Sequence, residues 1–223
     1  MFKDSTVAEI EKNMQEAWLA FHEYRKKSLK QRAEFMRQIA EEIEQLGDKL
    51  IHTAMQETNL PEARLRGEKA RTIFQLNSYA SFCESGQWLD ARIDTAIPDK
   101  TPPKPDIRKM LVPLGPVVVF GASNFPFAYS TAGGDTASAF AAGCSVIVKA
   151  HPAHPKTSDL VVTMATNIIM ISGILASLVK SPTRISSPQT ISKPPTKLPR
   201  NSGEGKPIFS NRPALSVSAN KNF

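Results

Sequence analysis

The sequence has little cysteine, few aromatic residues and no excess of one charge over most of its length. Two cysteines, Cys83 and Cys144, among 223 residues exclude a disulfide scaffold and a cysteine-rich zinc site. The first twenty residues include Lys3, Asp4 and Glu9, so they hold no secretory hydrophobic segment. We therefore expect a protein of a reducing compartment, the cytoplasm.

The formal net charge of +7 comes entirely from the last quarter of the chain. Residues 1–165 hold 20 acidic and 20 basic side chains, whereas residues 166–223 hold 8 basic ones and Glu204 alone. A neutral folded part has no basic face of the kind that binds nucleic acid. Nucleic acid is therefore not expected as a partner.

The first ninety residues have the periodicity of amphipathic helices, which predicts a helical scaffold over residues 5–86. Thr6-x-x-Glu9 and Ser28-x-x-Gln31 have the spacing of capping boxes. We also expect Gly47 and Gly86 to end helices, Asp48 to be an N-cap and Pro61 to lie in a first turn. The side chains expected on the buried faces are Val7, Ile10, Met14, Ala17, Trp18 and Phe21 in the first helix, and Ala70, Ile73, Phe74, Asn77, Ala80 and Phe82 in the fourth.

Extended segments follow the helices. Residues 88–112 contain short pieces broken by prolines, and they are predicted to pair as strands. Residues 116–120 read Pro-Val-Val-Val-Phe, a run typical of a strand buried on both faces. A helix predicted over 125–142 and a second buried strand over 145–149 complete a βαβ unit with parallel strands. The predicted fold class is α/β, a helical scaffold plus the first βαβ of a Rossmann-like parallel sheet.

Two polar residues stand where these strands end. Open α/β sheets bind ligands at the carboxyl edge of the sheet. Asn124 follows the first strand, where its amide could stabilise an oxyanion or could merely cap the turn. Lys149 ends the second strand, where it could meet a ribose or a phosphate or could be a solvated strand end. Spacing alone leaves both alternatives open.

Two other reactive side-chain types, histidine and cysteine, are expected to carry no chemistry. His151-x-x-His154 has helical metal-ligand spacing, but prolines interrupt it and no third ligand follows, so no metal site is predicted. Cys83 lies on a scaffold helix and Cys144 precedes a buried strand, and both are expected to be buried, inert thiols.

The composition changes near residue 166. Residues 181–223 hold seven prolines and many serines, so the chain is predicted to be disordered from about Ser181. Residues 166–223 as a whole are predicted to form a non-homologous, Pro/Ser/Lys-rich tail. The abrupt change is typical of a truncated or frameshifted gene. Residues 160–179 are uncharged and long enough to span a membrane, although five hydroxyl and amide side chains argue against it. A membrane-attached fragment is therefore an alternative.

The segment Pro113-Leu-Gly-Pro-Val-Val-Val-Phe-Gly-Ala-Ser-Asn-Phe-Pro126 and residues 133–155 resemble the aldehyde dehydrogenase superfamily. The similar branch is that of bacterial NADP-preferring aldehyde or 2,5-dioxovalerate (α-ketoglutarate semialdehyde) dehydrogenases. Residues 57–67 and 88–94 also resemble that branch, and the resemblance covers about residues 1–165. It implies an NADP or NAD cofactor, a small aldehyde as substrate and a homo-oligomer for the full-length enzyme.

The resemblance also implies roles for individual residues. Asn124 would be the side-chain half of the oxyanion hole, and Lys149 would hold the adenosine ribose or its 2′-phosphate. Ala122 and Ser123 would line the cofactor cleft. The family's nucleophilic cysteine and general-base glutamate lie downstream of the resemblance. The fold is therefore expected to be incomplete and the chain inactive alone. The alternative is a noncatalytic fragment that pairs with a full-length relative through its extended segment between Trp88 and Met110.

Overall fold

A computed structural model of the protein describes residues 4–172 and 178–181. The tail predicted to be disordered lies outside the described residues from position 182 onward, and that prediction stays untested. No helix among the described residues is long and apolar enough to cross a membrane.

Four helices form the scaffold: α1 (Val7–Tyr24), α2 (Leu29–Gln45), α3 (Gly47–Thr58) and α4 (Glu62–Ser85). Both capping boxes are confirmed, and in the first the Thr6 hydroxyl accepts from the Glu9 amide at 3.2 Å while the Glu9 carboxylate accepts from the Thr6 amide at 2.7 Å. Gly86 ends α4 with a φ of 66°, as predicted.

The predicted start of α3 is wrong. Asp48 does not cap α3, because Gly47 adopts a φ of 53° and lets α3 begin directly after α2. Asp48 instead lies in the first turn of α3 and pairs with Arg66 at 2.7 Å. The predicted opening of α4 at Pro61 is confirmed, with Pro61 as the N-cap residue directly before the first turn.

The predicted buried face of α1 is only half correct. Its second half contacts the core, where Ala17 and Phe21 are buried and the Ser145 hydroxyl donates to the Ala17 carbonyl at 2.7 Å. Met14 in the first half of the helix is exposed, and so is Trp18, although it lies between the buried Ala17 and Ala20. The complete buried set of α1 is Ala17, Ala20, Phe21 and Tyr24.

The predicted buried face of α4 is also wrong in part. Phe74 is 70% exposed and Phe82 is 53% exposed. The face turned to the core carries polar side chains that find partners there, so an apolar pattern could not identify it. Its buried residues are Leu65, Glu68, Lys69, Thr72, Leu76, Ala80 and Cys83.

An aromatic cluster and a buried arginine join the scaffold to the rest of the core. Tyr24, Phe35 and Phe140 pack edge to face with ring centroids 5.2–6.0 Å apart. Burial raises the pKa of Tyr24, whose hydroxyl donates to the Phe140 carbonyl at 3.1 Å. The Arg32 guanidinium donates to the backbone carbonyls of Lys27, Arg25 and Ala141 at 3.1, 2.9 and 3.4 Å, so each N–H that it buries there is matched by an acceptor.

The extended segment forms a small hairpin-like pair. β1 (Arg92–Asp94) and β2 (Ile107–Lys109) are antiparallel, with Ile93 opposite Arg108. Both strands are exposed, and Ile93 is 72% exposed.

The parallel sheet confirms the predicted α/β fold class. β3 (Val117–Phe120), α5 (Gly134–Ala142) and β4 (Val146–Lys149) form the βαβ unit, with β3 and β4 in parallel register. α5 begins nine residues later than predicted, because the segment from Phe125 to Gly133 forms turns.

The sheet also continues past the predicted unit. α6 (Pro155–Ser172) leads to β5 (Leu178–Ser181), which pairs parallel to β4 in the strand order β3-β4-β5. Sequence patterns did not indicate β5, which lies within the segment predicted to be a non-homologous tail. The start of α6 is capped from α3, because the Glu57 carboxylate accepts from the amides of Lys156 and Thr157 at 2.8 Å each.

β3 is not buried on both faces. Val119 is buried, whereas Val118 is 50% and Phe120 62% exposed. β3 lies at the edge of the sheet, and its outer face opens onto a cavity of about 660 Å³. The residues lining that cavity are Met14, Gln15, Trp18, Leu19, Pro116, Val118 and Ile147.

Candidate functional site

The four predicted site residues meet at the carboxyl edge of β3 and β4. Phe120 lies opposite Lys149, and the amide of the next residue, Gly121, donates to the Lys149 carbonyl at 3.0 Å. A Cβ at Gly121 would lie 3.2 Å from the backbone nitrogen of His151 and 3.2 Å from the Ser130 hydroxyl oxygen. Glycine therefore lets the turn that carries Ala122, Ser123 and Asn124 lie directly against the end of β4.

The backbone of Ala122 is fixed from two sides. Its amide donates to the Tyr129 carbonyl at 2.8 Å, and its carbonyl accepts from His154 Nε2 at 2.7 Å. The Ser158 hydroxyl lies 3.4 Å from His154 Nδ1, so the imidazole has partners on both nitrogens. His154 is fully buried and acts as a structural residue. Among the described residues, no group of three or more His, Cys, Asp or Glu side chains could hold a metal ion.

Asn124 presents its side chain at the surface while its backbone is held. The Asn124 carbonyl accepts from the Arg64 guanidinium at 2.5 Å, and Asn124 and Ser123 are exposed. A turn cap would need the Asn124 side-chain oxygen to accept from a nearby amide, and the described residues include no such bond. The side-chain N–H₂ of Asn124 is thus available to an external acceptor at this edge.

Aromatic side chains after Asn124 are packed against α4. The Arg64 guanidinium lies 5.1 Å from the centre of the Phe125 ring, which meets Tyr129 edge to face at 5.2 Å. Arg71 donates to the Tyr129 hydroxyl at 2.8 Å and lies 5.4 Å from that ring. Two arginines of one helix face therefore hold both ends of this aromatic pair.

A buried carboxylate lies between those arginines. Glu68 is only 6% exposed, and its Oε1 accepts from the amides of Phe127 and Ala128 at 2.8 and 3.0 Å. Its Oε2 is buried and has no hydrogen-bond partner among the described residues. Sequence reasoning missed Glu68, although Leu65, Glu68, Thr72 and Leu76 recur at helical spacing and could have indicated one shared face.

Lys149 supplies positive charge to the edge. It is partly exposed and forms no ion pair within the described part of the chain. The neighbouring His151 ring stacks on His154 with centroids 5.6 Å apart. Burial lowers the pKa of His151, and the charges of His154 and Lys149 lower it further. His151 is therefore neutral near pH 7, and the positive charge at the end of β4 comes from Lys149.

The two thiols are buried, as predicted. Cys83 donates weakly to the Ala141 carbonyl at 3.4 Å, and burial raises its pKa. Cys144 is 4% exposed. A buried thiol with a raised pKa is a poor nucleophile, because the thiolate is the reactive form.

Comparison with known families gives one extended match. The sequence model of the aldehyde dehydrogenase family matches residues 1–190 of this chain. The match runs past residue 165, where the resemblance was expected to stop, and it confirms the family suggested by the sequence motifs.

Two curated relatives carry nearly the same name. The chain is 47% identical over 175 residues to the alpha-ketoglutaric semialdehyde dehydrogenase of Acinetobacter baylyi. This match covers 78% of this chain and 33% of the relative. It is 48% identical over 198 residues to alpha-ketoglutaric semialdehyde dehydrogenase 2 of Azospirillum brasilense, and this match covers 87% of this chain and 38% of the relative. The chain thus spans about a third of the length of these relatives.

A solved structure agrees in fold. The glyceraldehyde-3-phosphate dehydrogenase of Methanocaldococcus jannaschii, solved in complex with NADP, superposes with a TM-score of 0.66 at 16% identity. The match covers 82% of this chain and 38% of that one. At this identity the likeness concerns the fold, and it agrees with a partial version of it.

Proposed function

Because the chain belongs to the aldehyde dehydrogenase family, we propose that it forms the first part of an NAD(P)-binding domain that serves aldehyde oxidation. The observation that carries the proposal is the hydrogen bond from Gly121 to Lys149, which places the turn of Asn124 beside the end of β4. One edge of the sheet thereby offers both an amide donor and a cation.

The residues at this edge fit a dinucleotide. Lys149 is a cation without an ion pair among the described residues, and Gly121 leaves no side chain between it and the neighbouring turn. Lys149 would hold the adenosine ribose or its 2′-phosphate, with Ala122 and Ser123 along the cleft. The cofactor, NADP or NAD, would accept the hydride of the aldehyde.

Asn124 would act on the substrate and not on the cofactor. Its amide N–H₂ is exposed, and its backbone is fixed by Arg64, so it can donate to the aldehyde oxygen without reorganising. Donation to an oxygen that gains charge during the reaction stabilises the transition state more than the ground state.

We take the substrate class from the curated relatives. Both are named for alpha-ketoglutaric semialdehyde, an aldehyde that carries carboxylate and keto groups. The proposed substrate is therefore a small anionic aldehyde such as 2,5-dioxovalerate, oxidised to the carboxylate by the full-length enzyme.

Residues 1–223 alone are proposed to be inactive. The chain has two cysteines, and both are buried away from the edge that carries Asn124. Purified protein with NADP and 2,5-dioxovalerate is therefore expected to form no NADPH. NADPH formation that is abolished by Cys144→Ser would contradict this.

Exposed strands favour a second function. Ile93 and Ile107 lie on paired strands and are 72% and 51% exposed. Unpaired strand edges can add to another sheet, so the chain could bind a full-length relative without catalysing a reaction. Co-purification with that relative, lost in an Ile107→Lys variant, would distinguish this function from cofactor binding.

Nucleotide binding tests the proposed cofactor site directly. We expect 2′,5′-ADP to bind residues 1–223 more tightly than 5′-AMP in a calorimetric titration. Lys149→Ala should weaken 2′,5′-ADP about tenfold, because a charge-assisted bond is lost. Lys100→Ala, a change at an exposed lysine of the hairpin region, is the matched control. Equal affinity in wild type and Lys149→Ala would contradict the role of Lys149.

A further inference from the structure

We propose that Glu68 is a positioning residue for Asn124, a role that rests on the proposed function of that amide. Glu68 does not reach the sheet edge itself. It acts through the backbone of the turn that follows Asn124, and two arginines of the same helix face complete the attachment.

The first step of the argument is the contact itself. Phe127 and Ala128 present two successive amides, and both donate to Glu68 Oε1, at 2.8 and 3.0 Å. Two successive amides that converge on one oxygen form a small anion-binding concavity. Glu68 occupies it from α4, 59 residues earlier in the chain.

The second step is the short path from that contact to Asn124. Only Phe125 and the buried Pro126 separate Asn124 from Phe127, and proline fixes its own φ. Arg64 holds the Asn124 carbonyl at one end of this path and Glu68 holds Phe127 at the other. The backbone of Asn124 is therefore set by two side chains that lie one helical turn apart on α4.

The third step is the cost of placing a carboxylate there. Glu68 is 6% exposed, and its Oε2 has no partner among the described residues. Burying an acid with one oxygen unsatisfied is unfavourable, and a carboxylate needed only for packing would be replaced by an apolar side chain at no loss. The arrangement is explained if both turn amides require a strong acceptor.

The test uses residues 1–223 with three substitutions at one position. Glu68→Ala removes the acceptor, Glu68→Asp keeps the charge but shortens the reach, and Glu68→Gln keeps a carbonyl oxygen in the same place. Glu84→Ala, at an α4 acid that pairs with Arg37 away from the turn, is the matched control. Two quantities are measured by NMR: hydrogen exchange at the Phe127 and Ala128 amides, and the chemical shifts and order of the Asn124 side-chain N–H₂.

We expect Glu68→Ala to speed exchange at both amides about tenfold or more and to shift and narrow the Asn124 side-chain signals. Glu68→Gln should restore the wild-type Asn124 signals, and Glu84→Ala should leave them unchanged. If Glu68→Ala does not fold, Glu68→Asp decides, because it should expose the same amides in a folded chain.

Unchanged Asn124 signals in a folded Glu68→Ala or Glu68→Asp protein would overturn the proposal, and so would a folded Glu68→Gln protein that fails to restore them. The titration with 2′,5′-ADP on the same wild-type sample separates the two ideas. If nucleotide does not bind but the Glu68 series behaves as expected, the cofactor site is refuted while the positioning contact stands.

Discussion

The two turns at the carboxyl edge of the sheet are held in different ways. The turn after β3, residues 121–133, is fixed by side chains of α4, a helix that precedes it by about sixty residues. The turn after β4 follows the strand paired with β3, its His154 bonds to Ala122 of the first turn, and Glu57 of α3 caps the helix that follows it. Strand pairing therefore determines where Lys149 lies, whereas side chains of α4 contribute to where Asn124 lies.

The largest expected effect comes from adding a single methyl group to the turn after β3. A Cβ at Gly133 would overlap the Ala128 carbonyl oxygen and lie 2.5 Å from its carbon. Since both groups are backbone, neither can move without opening the turn. Gly133→Ala is expected to lower the free energy of unfolding by about 3 kcal/mol or more, measured by urea denaturation.

The next residue gives the control. A Cβ at Gly134 would meet only the Gln75 side chain, at 3.4 Å, and Gly134 begins α5. Gly134→Ala should therefore change the free energy of unfolding by less than about 1 kcal/mol, and helix propensity favours a gain. Equal losses in both variants would show that the turn after β3 has no special close contact.

A smaller effect is expected from pH in the second turn. The pKa of His151 is lowered in the folded protein, so the unfolded chain binds the proton more readily. Stability should fall as the pH drops below about 6.5, the ordinary histidine value, and level off below the folded pKa. His151→Gln should remove this part of the pH dependence of urea unfolding between pH 7 and 5. An identical pH profile in the variant would show that His151 is not perturbed.

The starts of α1 and α2, the strand runs and the βαβ unit could be predicted because their signals are local. The two capping boxes and the β-branched runs around Val118 and Ile147 need only a few neighbouring residues to be recognised. The strand ends then place Asn124 and Lys149 at one edge by topology alone.

What could not be predicted depends on contacts between distant segments. Phe74 is exposed and Glu68 is buried because the turn after β3 presents amides, not apolar groups, to α4. Phe120 is exposed because β3 is at the edge of the described sheet and its outer face opens onto a cavity. Hydrophobic periodicity carries no information on either, since it assumes that burial follows side-chain polarity.

Gly121 also gives the edge a mechanical property. It leaves the two turns in backbone contact through the Lys149 carbonyl, and Ala122 is bonded to His154 at the approach to α6. A displacement of the start of α6 must therefore be shared by the turn that carries Asn124. The Asn124 amide and Lys149 therefore keep a fixed position relative to each other. Any side chain at position 121 would separate the two turns that carry them.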